Sequence, residues 1–214
     1  MAQYRAIYKN AYFKGIASAV VLTAGLAAGA VQAADTDHGD ITATAEIESG
    51  DTATSINASS NINIKGANKA AAKLTVSGDV KVAAEKTLTF GKGTDGLGLE
   101  VTVAQASTLD GNLVLNGGST NGATGTNDVT VEFTAGLIAN GNINVLGTDS
   151  GASELKSTAG SITLGGAVKV SGGASGAATL TADSIILKPA AVVTLSGEAA
   201  NGTMGSANTT VYEL

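Results

Sequence analysis

The 214-residue chain carries 29 glycines, one proline, no cysteine and 3% aromatic residues. So many glycines beside one proline exclude a collagen-like chain or a proline-rich spacer, and the lack of cysteine excludes a small disulfide scaffold. The formal charge of −6 becomes −9 once residues 1–33, with Arg5, Lys9 and Lys14 and no acid, are set aside. A body of that sign repels phosphate backbones and anionic membrane surfaces, so no nucleic-acid partner is expected.

The first predicted element is a secretory signal helix over residues 1–33. Residues 1–15 form a basic n-region, and Ile16 to Val31 is an uncharged run of small and apolar residues. Val31-Gln32-Ala33 then places small residues at −3 and −1, which predicts cleavage between Ala33 and Ala34. The run is 16 residues long, short of the roughly 20 that span a bilayer. No second apolar run follows, so no membrane span is expected in the mature chain. Residues 34–40, with Asp35, Asp37 and Asp40, read as a flexible acidic tail, and 41–214 as one repetitive β-domain.

Short alternation of apolar and polar residues, broken by Gly or Asn, dominates from Ile41 onward. This is the pattern of strands with one buried face. Strands are expected over Ile41–Ile47, Ile62–Ile64, Thr87–Phe90, Leu99–Val103, Val129–Phe133 and Ile185–Leu187. Three segments are near copies: Leu74-Thr75-Val76-Ser77-Gly78, Val168-Lys169-Val170-Ser171-Gly172 and Val193-Thr194-Leu195-Ser196-Gly197. A second set is Gly111-Asn112-Leu113, Gly141-Asn142-Ile143 and Gly160-Ser161-Ile162. Asn116-Gly117, Asn121-Gly122, Asn140-Gly141 and Asn201-Gly202 mark turns, because both residue types tolerate positive φ. The only helical signal after the leader is a single turn around Asn68–Lys73.

An all-β body of this kind fits a right-handed parallel β-solenoid (β-helix), with an antiparallel β-sandwich as the alternative. Strands of three to five residues, recurring at uneven spacing, fit coils whose inserts loop outward. Three aromatics after the leader, Phe90, Phe133 and Tyr212, leave Val, Ile, Leu and Ala to build the core. At about 20 residues per coil, the 181 residues after Ala33 predict roughly nine coils.

Leu74 to Phe90, and the stretch from Gly160 to Gly197 with Ser161-Ile162-Thr163-Leu164 and Val193-Thr194-Leu195-Ser196, resemble coils of bacterial autotransporter and filamentous-haemagglutinin-type passenger domains. The resemblance covers about half the chain. It implies a surface-exposed or secreted β-helix, often adhesive. Autotransporters also carry a C-terminal membrane barrel of alternating strands. The chain reaches Leu214 without one, so the expectation is a passenger fragment or a stand-alone secreted product.

Candidate sites are sparse. Gly91-Lys92-Gly93-Thr94-Asp95-Gly96 matches a dinucleotide fingerprint, but Leu97–Val103 alternates like a strand where that fingerprint needs a helix. A glycine turn is the better reading. Asp35, Asp37 and Asp40 are spaced like the start of a calcium loop but lack its closing bidentate Glu. One histidine, His38, and no cysteine exclude the usual zinc sites and a Cys–His nucleophile pair. Glu46 and Glu48 share one strand face, as paired acids do in glycoside hydrolysis; exposed charge guarding an edge strand is the simpler account. Thr42/Thr44, Thr52/Thr54 and Thr87/Thr89 form Thr-x-Thr pairs, too few for an ice- or crystal-binding rank.

No catalytic, cofactor or metal residue is therefore expected. The expected protein is a non-catalytic adhesin-like solenoid, exported by the Sec pathway to the periplasm, cell surface or medium. Its expected partners are a host or neighbouring cell surface, glycans, or further copies of itself. A polysaccharide-acting β-helix enzyme is the alternative.

Overall fold

A computed structural model describes residues 35–67, 71–91, 98–117, 128–148, 151–173, 176–197 and, by backbone alone, 202–211. The predicted signal helix and its cleavage site, most of the Gly91–Gly96 motif, Asn121-Gly122 and Tyr212 lie outside these residues. No helix occurs among the described residues.

The body is a parallel β-solenoid with three faces. The first face stacks β3 (Ser49–Ala53), β6 (Ala72–Val76), β9 (Leu99–Val103) and β12 (Val129–Phe133). It continues through the first halves of β15 (Ser153–Leu164), β17 (Ala178–Leu187) and β19 (Gly202–Val211). The second face stacks β1 (Asp40–Ile41), β4 (Ser55–Ala58), β7 (Val80–Val82), β10 (Ser107–Leu109) and β13 (Leu137–Ala139), then the second halves of the same three long strands. The third is a seven-stranded sheet of β2 (Ala45–Ile47), β5 (Ile62–Gly66), β8 (Thr87–Gly91), β11 (Asn112–Asn116), β14 (Ile143–Leu146), β16 (Ala167–Gly172) and β18 (Val192–Gly197). Adjacent strands are parallel throughout, which removes the sandwich: Ile62–Leu88–Leu113–Ile143–Val168–Val193 is one continuous inward row.

The coils are longer and fewer than expected. Ala53 pairs with Val76, 23 residues on; Val76 with Val103, 27 on; and Val103 with Phe133, 30 on. Three strands and their corners need more chain than a 20-residue coil supplies, so the third face is seven strands high rather than nine. At about 4.8 Å per strand, six spacings make it about 29 Å tall.

Both phenylalanines belong to the core. Phe90 and Phe133 are fully buried in a core that they share, among the described residues, with 34 aliphatic side chains. The row Ala53–Val76–Val103–Phe133 grows in size toward Phe133. The next position in register is Ser157, which pairs with Ala182. The bulky ring is thus accommodated by small residues in the coils that follow. Ser157 Oγ is buried and has no hydrogen-bond partner among the described residues. An unsatisfied buried hydroxyl is a cost that alanine removes, so Ser157→Ala should leave stability unchanged or raise it by up to about 1 kcal/mol, read from urea midpoints.

Several local expectations are corrected. Ile41–Ile47 is two strands, because the chain turns a corner at Thr42–Thr44. Ala72 and Lys73 begin β6 rather than ending a helical turn. Leu74–Gly78 lies on the first face, whereas its near copies Val168–Gly172 and Val193–Gly197 stack on the third. Ile162 pairs with Leu137 on the second face, so Gly160-Ser161-Ile162 is not a third copy of the Gly-Asn corner. That place is taken by Gly166-Ala167-Val168.

The Gly-Asn corners hold the coils together. Asn112 Oδ1 accepts from Asn142 N at 3.1 Å, and Asn142 Oδ1 from Ala167 N at 3.0 Å. Asn61 Oδ1 accepts from Thr87 N at 2.9 Å in the same way. A corner interrupts the strand ladder, and these side chains supply its amides with partners from the coil before.

Candidate functional site

The only histidine is not in a flexible tail. Thr36 to Gly39 run alongside β3: Asp37 bridges Thr52, His38 N donates to Thr52 O at 2.9 Å, and Thr54 N donates to Gly39 O at 2.7 Å. A register shift between Ser49 and Asp51, with Gly50 at φ 96°, turns the Asp51 side chain inward. Asp51 is 2% exposed and pairs with Leu74 of the next coil, so its carboxylate closes the row Leu74–Val101–Val131–Leu155–Leu180. It accepts from Thr36 N, Glu48 N and His38 Nε2, each at 2.9 Å.

Burial alone raises the Asp51 carboxyl, but the hydrogen bonds from Glu48, His38 and Thr36, with attraction to His38, outweigh it and hold it below its ordinary value. A carboxyl lowered on folding stabilises the fold above the unfolded-state pKa of about 4, and that stability is lost as pH falls through the lower folded value. Asp51→Asn should therefore cost about 2 kcal/mol near pH 7, in the range for hydrogen bonds to charged groups. It should also flatten the acid limb of a stability-against-pH curve.

The other predicted residues stay apart. Asp37 Oδ1 accepts from Gly39 N, and Asp40 Oδ1 from the Ser55 hydroxyl, so the three aspartates do not converge as in a calcium loop. Glu46 is exposed on β2 and pairs with Lys65 at 2.8 Å, while Glu48 lies in the corner before β3. Gly91 ends β8, and Leu99–Val103 is a strand, not a helix. Of the Thr-x-Thr residues, only Thr52 enters a threonine stack, with Thr75 and Thr102.

Sequence reading missed a groove on the surface. A groove of about 260 Å³ lies on the outside of the first face. Register places Lys73, Glu100, Thr130 and Glu154 in one outward row, with Glu132 and Lys156 in the next. Thr130 is short, so the groove dips there between Glu100 and Glu154, with Asp128 at its edge. Lys73 pairs with Glu100 at 2.6 Å and Lys156 with Glu132 at 3.4 Å. Asp128 Oδ1 accepts from Ala152 N at 2.9 Å. The signal for this row was the polar residue between apolar ones in Ala72-Lys73-Leu74, Leu99-Glu100-Val101 and Val129-Thr130-Val131. Uneven coil lengths hid their alignment.

No family model, no curated protein and no solved structure matches this chain.

Proposed function

We propose that the chain is an exported β-solenoid that works through its surface, in adhesion or surface contact, without catalysis. What supports this reading is the first face. Its strands repeat at about 4.8 Å and hold outward-facing acids, lysines and threonines in straight rows around a shallow groove. A row of that kind presents many weak polar contacts at fixed spacing, which suits an extended ligand such as a glycan chain. The leader of residues 1–33 supports export.

Binding of the purified chain to cells and to a glycan panel tests this. Glu154→Gln and Lys156→Ala should each lower binding about tenfold with an unchanged circular dichroism spectrum. Absence of binding would remove the proposal. Glycan hydrolysis lost in Glu46→Gln or Glu48→Gln would replace it with the enzyme reading.

A further inference from the structure

The corner between the second and third faces brings three reactive side chains into one line. Leu109, Ala139, Leu164 and Leu187 stack in register on the second face. The residues that follow them, Asp110, Asn140, Gly165 and Lys188, therefore stack at the corner beyond it. Asn140 Nδ2 donates to Asp110 Oδ1 at 2.8 Å, and Lys188 Nζ donates to Asn140 Oδ1 at 2.7 Å. Lys188 lies two coils beyond Asn140. It reaches across because Gly165, in the coil between, has no side chain: a methyl group there would lie 3.4 Å from Lys188 Cδ. The line joins a primary amine, a carboxamide and a carboxylate.

We propose that the chain forms an isopeptide bond within itself, between Lys188 and Asn140. An uncharged lysine amine is a nucleophile toward carbonyl carbon, and fixed proximity replaces a high reactant concentration. Nζ already sits against the carboxamide oxygen, and a swing of its flexible stem brings it over Cγ. The Nζ–Cγ bond forms and the Cγ–Nδ2 bond breaks. Asp110, on the leaving nitrogen, takes a proton from the attacking amine and passes it to Nδ2, which departs as ammonia. The step needs no oxidant, metal or second substrate. The rival nucleophile is the Gly141 backbone nitrogen, whose attack on Cγ would give a cyclic imide and the same ammonia. Gly141 N donates to Leu109 O at 3.4 Å, Asn140 N donates to the same oxygen at 2.8 Å, and Gly141 is wedged against the Gly111 backbone. The backbone is thus held while the lysine is free to move. All three side chains are exposed, so the bond forms slowly and ammonia escapes into solvent. The reaction occurs once per chain and turns over no substrate, so it is independent of the adhesive reading.

Mass spectrometry tests this directly. The intact mass of the folded full chain should fall during incubation by one ammonia, about 17 Da, and peptide mapping should find the Asn140 and Lys188 peptides joined. The chain held unfolded in urea should not form the joined peptide. Lys188→Arg and Asn140→Ala should each abolish the loss, and Asp110→Ala should slow it about a hundredfold. These side chains are exposed, so all three variants should keep the β spectrum. A folded wild-type chain whose mass never falls would overturn the proposal. So would an ammonia loss that persists in Lys188→Arg, which would be the cyclic imide at Asn140-Gly141.

Discussion

Phe133→Ala is expected to lower the unfolding free energy by about 4 kcal/mol. The ring is fully buried, and it fills the row beneath Ser157 and Ala182, two residues too small to close the space it would leave. Neighbours across the interior are held in strands on other faces, so the walls cannot collapse inward. Phe133→Leu, which retains most of the volume, should cost about 1 kcal/mol. Urea titration of the three proteins measures the series, and equal losses for Ala and Leu would contradict a volume effect. Coils of a solenoid are bonded to their neighbours alone. Amide exchange should therefore accelerate most in β9, β12 and β15 and least in β2 and β18.

Gly141→Ala is expected to cost about 3 kcal/mol, at the upper end for overpacking. A methyl group there would lie 2.1 Å from Gly111 O and 2.5 Å from Gly111 C. Both are backbone atoms of the coil before, and neither can rotate away. A methyl group at Gly111 would lie 2.2 Å from Ala83 O, and one at Gly166 would lie 2.4 Å from Gly141 O. The corner is therefore a column of glycines, each admitting the next coil at strand spacing. The two Gly-Asn pairs use glycine for close approach, not for positive φ; positive φ occurs instead at Gly39, Gly50, Gly98, Gly136 and, without glycine, at Glu85. A melting temperature unchanged by Gly141→Ala would show that the coils can separate at that corner.

The strands were legible because alternation reports burial directly: Leu99-Glu100-Val101-Thr102-Val103 reads as in, out, in, out, in, and that is its burial pattern. Short strands with few apolar residues were not. Ser107–Leu109 has one aliphatic side chain, and Ser107 is buried because its hydroxyl accepts from Val80 N and donates to Gln105 O. No composition rule marks such a serine as interior. Face assignment was equally hidden, since Leu-Thr-Val-Ser-Gly and Val-Thr-Leu-Ser-Gly fit any of three faces and only register separates them. The His38–Asp51 pair escaped for a different reason. It depends on a bulge at Gly50 that reverses which way Asp51 points. The groove row needed coil alignment, which inserts of unequal length obscured.

The strand ladders, joined at some corners by asparagine side chains, tie each coil to the one before it by a short set of hydrogen bonds. Tension applied along the solenoid axis loads one such set at a time, so the molecule yields by peeling at one end. From β3 onward each coil of 23 to 30 residues would release roughly 80 to 100 Å of extended chain. A tether built this way lengthens in steps under load and keeps the remaining coils, with their surface rows, in place.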